Sequence, residues 1–84
     1  SALPTAIEDF ITYEPLSIFP NPVYSEIKLT RIPEGAYEYE IYDLFGNIVS
    51  SGLITDQIDV SRLTIGTYYL KINSVSQPIK FLKL

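Results

Sequence analysis

Apolar and polar positions alternate along this chain in short runs, and turn-forming residues separate the runs. Ser25 to Arg31 places Ile27 and Leu29 on one face and Lys28 and Thr30 on the other, the period of a half-buried strand. From Ala36 to Leu44, Tyr37, Tyr39 and Ile41 share one face, opposed by Glu38, Glu40 and Tyr42. Thr67 to Asn73 turns Tyr68, Leu70 and Ile72 inward and Tyr69 and Lys71 outward. Ile79 to Leu84 sets Ile79 and Phe81 against Leu82 and Leu84. Shorter strands are predicted over Leu16–Phe19, Ile48–Ile54 and Gln57–Val60. β-Branched and aromatic residues dominate, and no helical period outlasts a turn. About seven strands with a turn roughly every 8–12 residues predict an all-β fold, an antiparallel immunoglobulin/fibronectin-like β-sandwich.

The punctuation between strands is specific. Pro20 and Pro22 fix φ at about −65°, remove two backbone donors and push Phe19 and Asn21 toward extended geometry. A sheet accepts such a pair only at an edge or at a crossing between sheets. Pro33-Glu34-Gly35 supplies turn chemistry, and Ser61 to Gly66 forms a corner. Gly46-Asn47 fits a two-residue type II′ hairpin or a three-residue loop with a bulge. Gly52 inside a strand suggests a bulge or a close backbone approach. Residues 1–14 show no sustained period and are expected to be a linker, its end drawn in by Phe10, Ile11 and Tyr13. Residues 15–84 then form the domain.

Composition narrows the function. Eighty-four residues make one domain. A chain this short buries about 60–65% of its unfolded surface, and the usual per-residue scaling gives a stability of about 4–13 kcal/mol. No apolar run approaches the roughly 20 residues needed to span a bilayer, so membrane insertion is not expected. The chain has no cysteine and no histidine, which removes disulfides, thiolate metal sites and the commonest general base. Six basic residues are scattered within a net charge of −4, a poor footprint for nucleic acid. With no methionine and a start at Ser1-Ala2-Leu3-Pro4, the sequence reads as a fragment of a longer protein.

Candidate chemistry is thin. Glu38, Glu40 and Asp43 lie close together, but paired acids that work as general acid and base need a cleft between them. Asp56 and Asp59 flank a short strand, where turn hydrogen bonds suit them better than calcium, which wants six to eight oxygens. Seven tyrosines raise carbohydrate binding, with Tyr42 and Tyr69 as an outward stacking pair. Aromatic pairs stabilise sheets in any case, and tryptophan is absent. Neither catalysis nor any cofactor or metal is expected.

Four ordered segments change the picture: Phe19-Pro20-Asn21-Pro22, Ile41-Tyr42-Asp43-Leu44-Phe45-Gly46-Asn47-Ile48-Val49, residues 58–72 with Gly66 and Tyr68, and Lys80-Phe81-Leu82-Lys83-Leu84. In this order they resemble the C-terminal sorting domain of the type IX (Por) secretion system of Bacteroidota, over about residues 16–84. The chain departs from the commonest pattern of that family in two ways: Phe45-Gly46-Asn47 stands where members often carry a polar residue, glycine and lysine, and Arg62 and Ile65 occupy positions that are often small or polar. The resemblance implies a non-catalytic secretion signal that directs an upstream cargo from the periplasm across the outer membrane. It also implies partners: the secretion machinery and a surface sortase-like protease that usually removes the domain, leaving the cargo at the cell surface or released. Pro20, Asn21, Pro22, Asp43, Gly46, Gly66, Tyr68, Lys80, Lys83 and Leu84 are the positions it nominates for recognition. The last strand, placed at a sheet edge, would offer backbone groups to a partner's strand. The alternative is an immunoglobulin-like accessory or carbohydrate-binding module of a secreted enzyme.

Overall fold

A strand with one apolar face must bury that face against a second layer, and this chain folds both layers from its own strands. The computed structural model describes residues 16–84. The strands are β1 (Ser17–Phe19), β2 (Glu26–Thr30), β3 (Glu38–Tyr42), β4 (Ile48–Leu53), β5 (Gln57–Asp59), β6 (Gly66–Ile72) and β7 (Ile79–Lys83). They form two antiparallel sheets, ordered β1-β2-β5 and β4-β3-β6-β7. Each predicted strand is present, its ends displaced by a residue or two. The expected lead segment, residues 1–14, lies outside the described residues.

The core takes its residues from both sheets. Ile27 and Leu29 of β2 and Ile58 of β5 meet Ile41 of β3, Tyr68, Leu70 and Ile72 of β6, and Phe81 of β7. Val23 and Val60 close the cluster from the flanking loops. Fully burying one such side chain contributes about 1.5–3 kcal/mol, so this cluster is the main source of stability. The Tyr68 and Phe81 rings stack within it, their centroids 5.7 Å apart.

Three local expectations are refined. Tyr37 precedes β3 and is exposed, not inward with Ile41. Gly52 marks neither a bulge nor a backbone approach: a methyl group there would lie 3.1 Å from the Tyr39 hydroxyl oxygen, so the glycine makes room for that ring. The register shift falls instead between Ile41 and Tyr42, whose partners are Ser50 and Ile48, leaving Val49 as the extra residue.

Strand direction sorts the loops into two ends. The β1–β2, β3–β4 and β5–β6 connections gather at the distal end, where Ser25 accepts a bond from Val60 and Val23 bridges to Lys83. The β2–β3, β4–β5 and β6–β7 connections lie at the other end, tied by Asn73 to Tyr37 and Glu38. β1 begins at that second, entry end, because Ser17 pairs with Thr30 and Phe19 with Lys28.

Candidate functional site

The Pro20-Asn21-Pro22 segment leaves β1 and crosses to the other sheet, where it lies along the outer side of β7. Both X-Pro bonds, Phe19-Pro20 and Asn21-Pro22, are cis. The Leu82 N–H donates to Asn21 Oδ1 at 3.0 Å, and Asn21 Nδ2 donates to the Lys80 carbonyl at 3.4 Å. Two residues on, the Val23 N–H donates to the Leu82 carbonyl and the Leu84 N–H donates to the Val23 carbonyl, both at 2.8 Å. An amide side chain is the right group here, since one asparagine offers both an acceptor and a donor to main chain. β7 is therefore the outermost strand of its sheet, yet Asn21 and Val23 already occupy its outer edge. The expectation that this edge stands ready for a partner's strand is corrected: the segment that the sequence places first closes the segment it places last.

The second segment builds a rigid hairpin tip. Asp43 Oδ1 accepts from the N–H groups of Phe45 at 2.8 Å and Asn47 at 3.0 Å, while its Oδ2 accepts from Asn47 Nδ2 at 3.2 Å. The Gly46 N–H donates to the Asp43 carbonyl at 3.2 Å, and the Asp43 N–H to the Asn47 carbonyl at 2.9 Å. Gly46 has φ +88°, the left-handed region that follows a type I turn in a three-residue loop. Of the two hairpins the sequence allowed, the three-residue loop forms. These bonds, the Asn47 N–H foremost, hold the Asp43 carboxyl below the usual carboxylate range.

The third segment is a corner. The Ser61 N–H donates to Asp59 Oδ1 at 2.9 Å, and the Ser61 hydrogen bonds, its side chain foremost, lower the Asp59 pKa. Asp59 thus serves a turn. The buried Tyr68 reaches back four residues, and its hydroxyl donates to the Thr64 carbonyl at 2.8 Å. Gly66 pairs with Lys83, which brings the corner beside the chain's last residues. Lys83 is buried to 6% exposure, and its Nζ donates to the Leu84 carbonyl at 2.9 Å. Lys80 stays exposed.

Glu38, Glu40, Tyr42 and Tyr69, the residues of the rival chemistries on the larger sheet, lie on its outer face, where Glu38 and Glu40 line an open hollow of about 470 Å³ with Tyr39 and Lys71. Glu40 accepts a bond from the Tyr42 hydroxyl at 2.6 Å, which raises the Tyr42 pKa and commits both groups. Tyr42 does pair with Tyr69 across β3 and β6, beside an open hollow of about 320 Å³ that Leu44, Lys71 and Pro78 also line. Among the described residues, no cluster of three acids stands ready for a metal ion. Sequence reasoning missed two organising residues, Val23 and Asn73. Asn73 Oδ1 accepts from the N–H groups of Tyr37 and Glu38, each at 2.8 Å, and its Nδ2 donates to the Gly35 carbonyl at 2.7 Å.

All the nominated positions but Lys80 lie toward the distal half; Asn21, Gly66 and Tyr68 meet β7, while Asp43 and Gly46 stand apart in their own hairpin tip. The family model for the secretion system C-terminal sorting domain matches residues 17–83, nearly all of the described chain. This chain belongs to that family. No curated protein matches it, and no solved structure does. As a sorting domain it is a type IX secretion signal.

Proposed function

We propose that this sorting domain is a non-catalytic address label that carries an upstream cargo through the periplasm and across the outer membrane. A surface sortase-like protease then cuts ahead of β1, leaving the cargo at the cell surface or in the medium. The observation that carries the reading is the family match over residues 17–83, whose first and last motif segments the fold brings into mutual contact. The sheets fit an immunoglobulin/fibronectin-like sandwich, with the Tyr68 hydroxyl tied to Thr64 in the manner of a tyrosine corner. β4 joins the sheet of β3, β6 and β7, where a constant-type immunoglobulin domain would pair it with β5.

The test is a fluorescent reporter bearing a signal peptide and followed by residues 1–84, expressed in Bacteroidota with and without a working type IX system. Surface or medium fluorescence should appear only in the competent strain, with periplasmic retention in the other. Equal distribution in both strains would refute the reading.

A further inference from the structure

The described residues with large exposed apolar side chains are distributed unevenly. Ile32, Tyr37 and Leu53 lie toward the entry end, whereas Tyr24, Leu44, Phe45 and Ile65 all lie on distal loops. The distal four are 67%, 62%, 89% and 75% exposed. Exposed apolar groups gathered in one region mark an interaction surface, and aromatic side chains are the commonest binding anchors.

Their backbone is fixed, so their exposure is not that of a loose loop. Phe45 donates its N–H to the Asp43 carboxylate. Ile65 follows Thr64, which Tyr68 holds by carbonyl and hydroxyl. Tyr24 lies between Val23, bonded to β7 through both N–H and carbonyl, and Ser25, which accepts from Val60. Anchors held this way lose little freedom on binding. Loops 20–25, 43–47 and 60–65 contain only Asp43 and Arg62, and the Asp43 carboxylate is engaged by its own turn; Glu26 and Asp59, paired across β2 and β5, add two carboxylates at the rim of this end.

We propose that the distal end docks, through Tyr24, Leu44, Phe45 and Ile65, into an apolar recess of a protein receptor in the export machinery. The inference rests on the sorting reading and adds the face and the chemistry of the contact. The direction of β1 supports this occupant: β1 begins at the entry end, away from the distal loops. A lipid surface fits less well, since interfacial binding favours basic and tryptophan residues. This chain has no tryptophan and a net charge of −4.

The test uses the full chain behind the secreted reporter. One variant carries Leu44→Lys, Phe45→Lys and Ile65→Lys. A second, of equal charge change, carries Tyr37→Lys, Leu53→Lys and Gln77→Lys at the entry end. The distal variant should lower surface delivery by about tenfold or more, the scale expected on losing binding anchors. The entry-end variant should export like the unaltered chain. If circular dichroism shows the distal triple variant to be unfolded, Phe45→Ser alone should still reduce delivery by about threefold. Unchanged delivery by folded distal variants overturns the docking surface while leaving the sorting reading intact, as does equal loss in both triple variants. Binding of the purified chain to phosphatidylethanolamine–phosphatidylglycerol vesicles that the distal variant abolishes would overturn it in favour of a membrane contact. Failure of the unaltered chain to be exported overturns both readings.

Discussion

Replacing Asn21 with alanine tests whether the proline-flanked segment is a clamp on β7 or only a linker that happens to pass it. The side chain makes two bonds to β7 main chain, one at 3.0 Å to the Leu82 N–H and one at 3.4 Å to the Lys80 carbonyl. The first lies in the normal range for N–H···O and contributes about 0.5–1.5 kcal/mol net. The second is long and adds less. The two Val23 bonds, both 2.8 Å, survive the substitution. The expected loss is therefore about 1–2 kcal/mol, a sizeable share of the few kcal/mol available to so small a domain. With a urea slope of about 1 kcal/mol/M, the midpoint should fall by about 1–2 M. Amide hydrogen exchange gives the local reading: Leu82 should exchange about tenfold faster, because its N–H loses its acceptor while neighbouring strands stay closed. Asn21→Asp separates the two bonds, since it keeps an acceptor for Leu82 and loses the donor to Lys80. Leu82 protection should persist in that variant. If Asn21→Ala leaves both the urea midpoint and Leu82 exchange unchanged, the clamp does not exist.

Three further outcomes follow from the packing and the turns. Phe81→Ala removes a fully buried ring stacked on Tyr68 and should cost about 3–5 kcal/mol, read as a fall in the urea midpoint and in the thermal transition followed by circular dichroism. Asn73→Ala removes three bonds of 2.7–2.8 Å that tie the β6–β7 turn to the start of β3, and should cost about 2–3 kcal/mol by urea unfolding, with Glu38 N–H exchange accelerated. Asp43 has a lowered pKa, so its contribution is present above the unfolded carboxylate value, roughly 4, and is lost as pH falls through the folded value. Titration by NMR should show the Phe45 and Asn47 amides shifting together at acid pH, and Asp43→Asn should abolish that step.

What the sequence discloses, and what it hides, follows from the range of the interactions. Ile27 and Leu29, or Tyr68, Leu70 and Ile72, announce a buried face through period alone, and their burial agrees. The Asp43 turn is similarly local: residues 43–47 contain the acceptor, the donors and the glycine that takes the left-handed backbone. Asn21 is different, because its partner Leu82 lies 61 positions away and nothing in either segment names the other. Proline spacing placed the segment at an edge or crossing but left open which strand it would meet. β4 shows a second limit. Ile48, Val49 and Leu53 look like core residues, yet they are exposed. The smaller sheet has three strands against four, so the outermost strand of the larger one lacks a facing layer. Lys83 shows the converse. Alternation puts it on the face of Phe81, its charge argues against burial, and the conflict is met by laying the stem inward while the amine reaches the Leu84 carbonyl.

This division bears on how a sorting label of this size can work. The motif residues with an evident physical role spend it on conformation: Asn21 covers an edge, Asp43 and Gly46 fix a turn, and Tyr68 pins a corner. A side chain already engaged by its own main chain has little left to offer a receptor. Recognition by such residues is then indirect, through the shape they impose, and the direct contacts fall to their exposed neighbours. Phe45 stands between two hydrogen-bonded turn residues, and Ile65 stands between the Thr64 carbonyl and Gly66. On this argument Asp43→Ala and Phe45→Ser impair export for opposite reasons. The first should lower stability of the tip and be partly rescued by stabilising solutes, because the contact side chain remains. The second should leave the urea midpoint unchanged and resist such rescue, because the fold is intact and the contact is gone. Equal rescue of both variants would mean that the tip acts only through stability and that Phe45 contacts nothing.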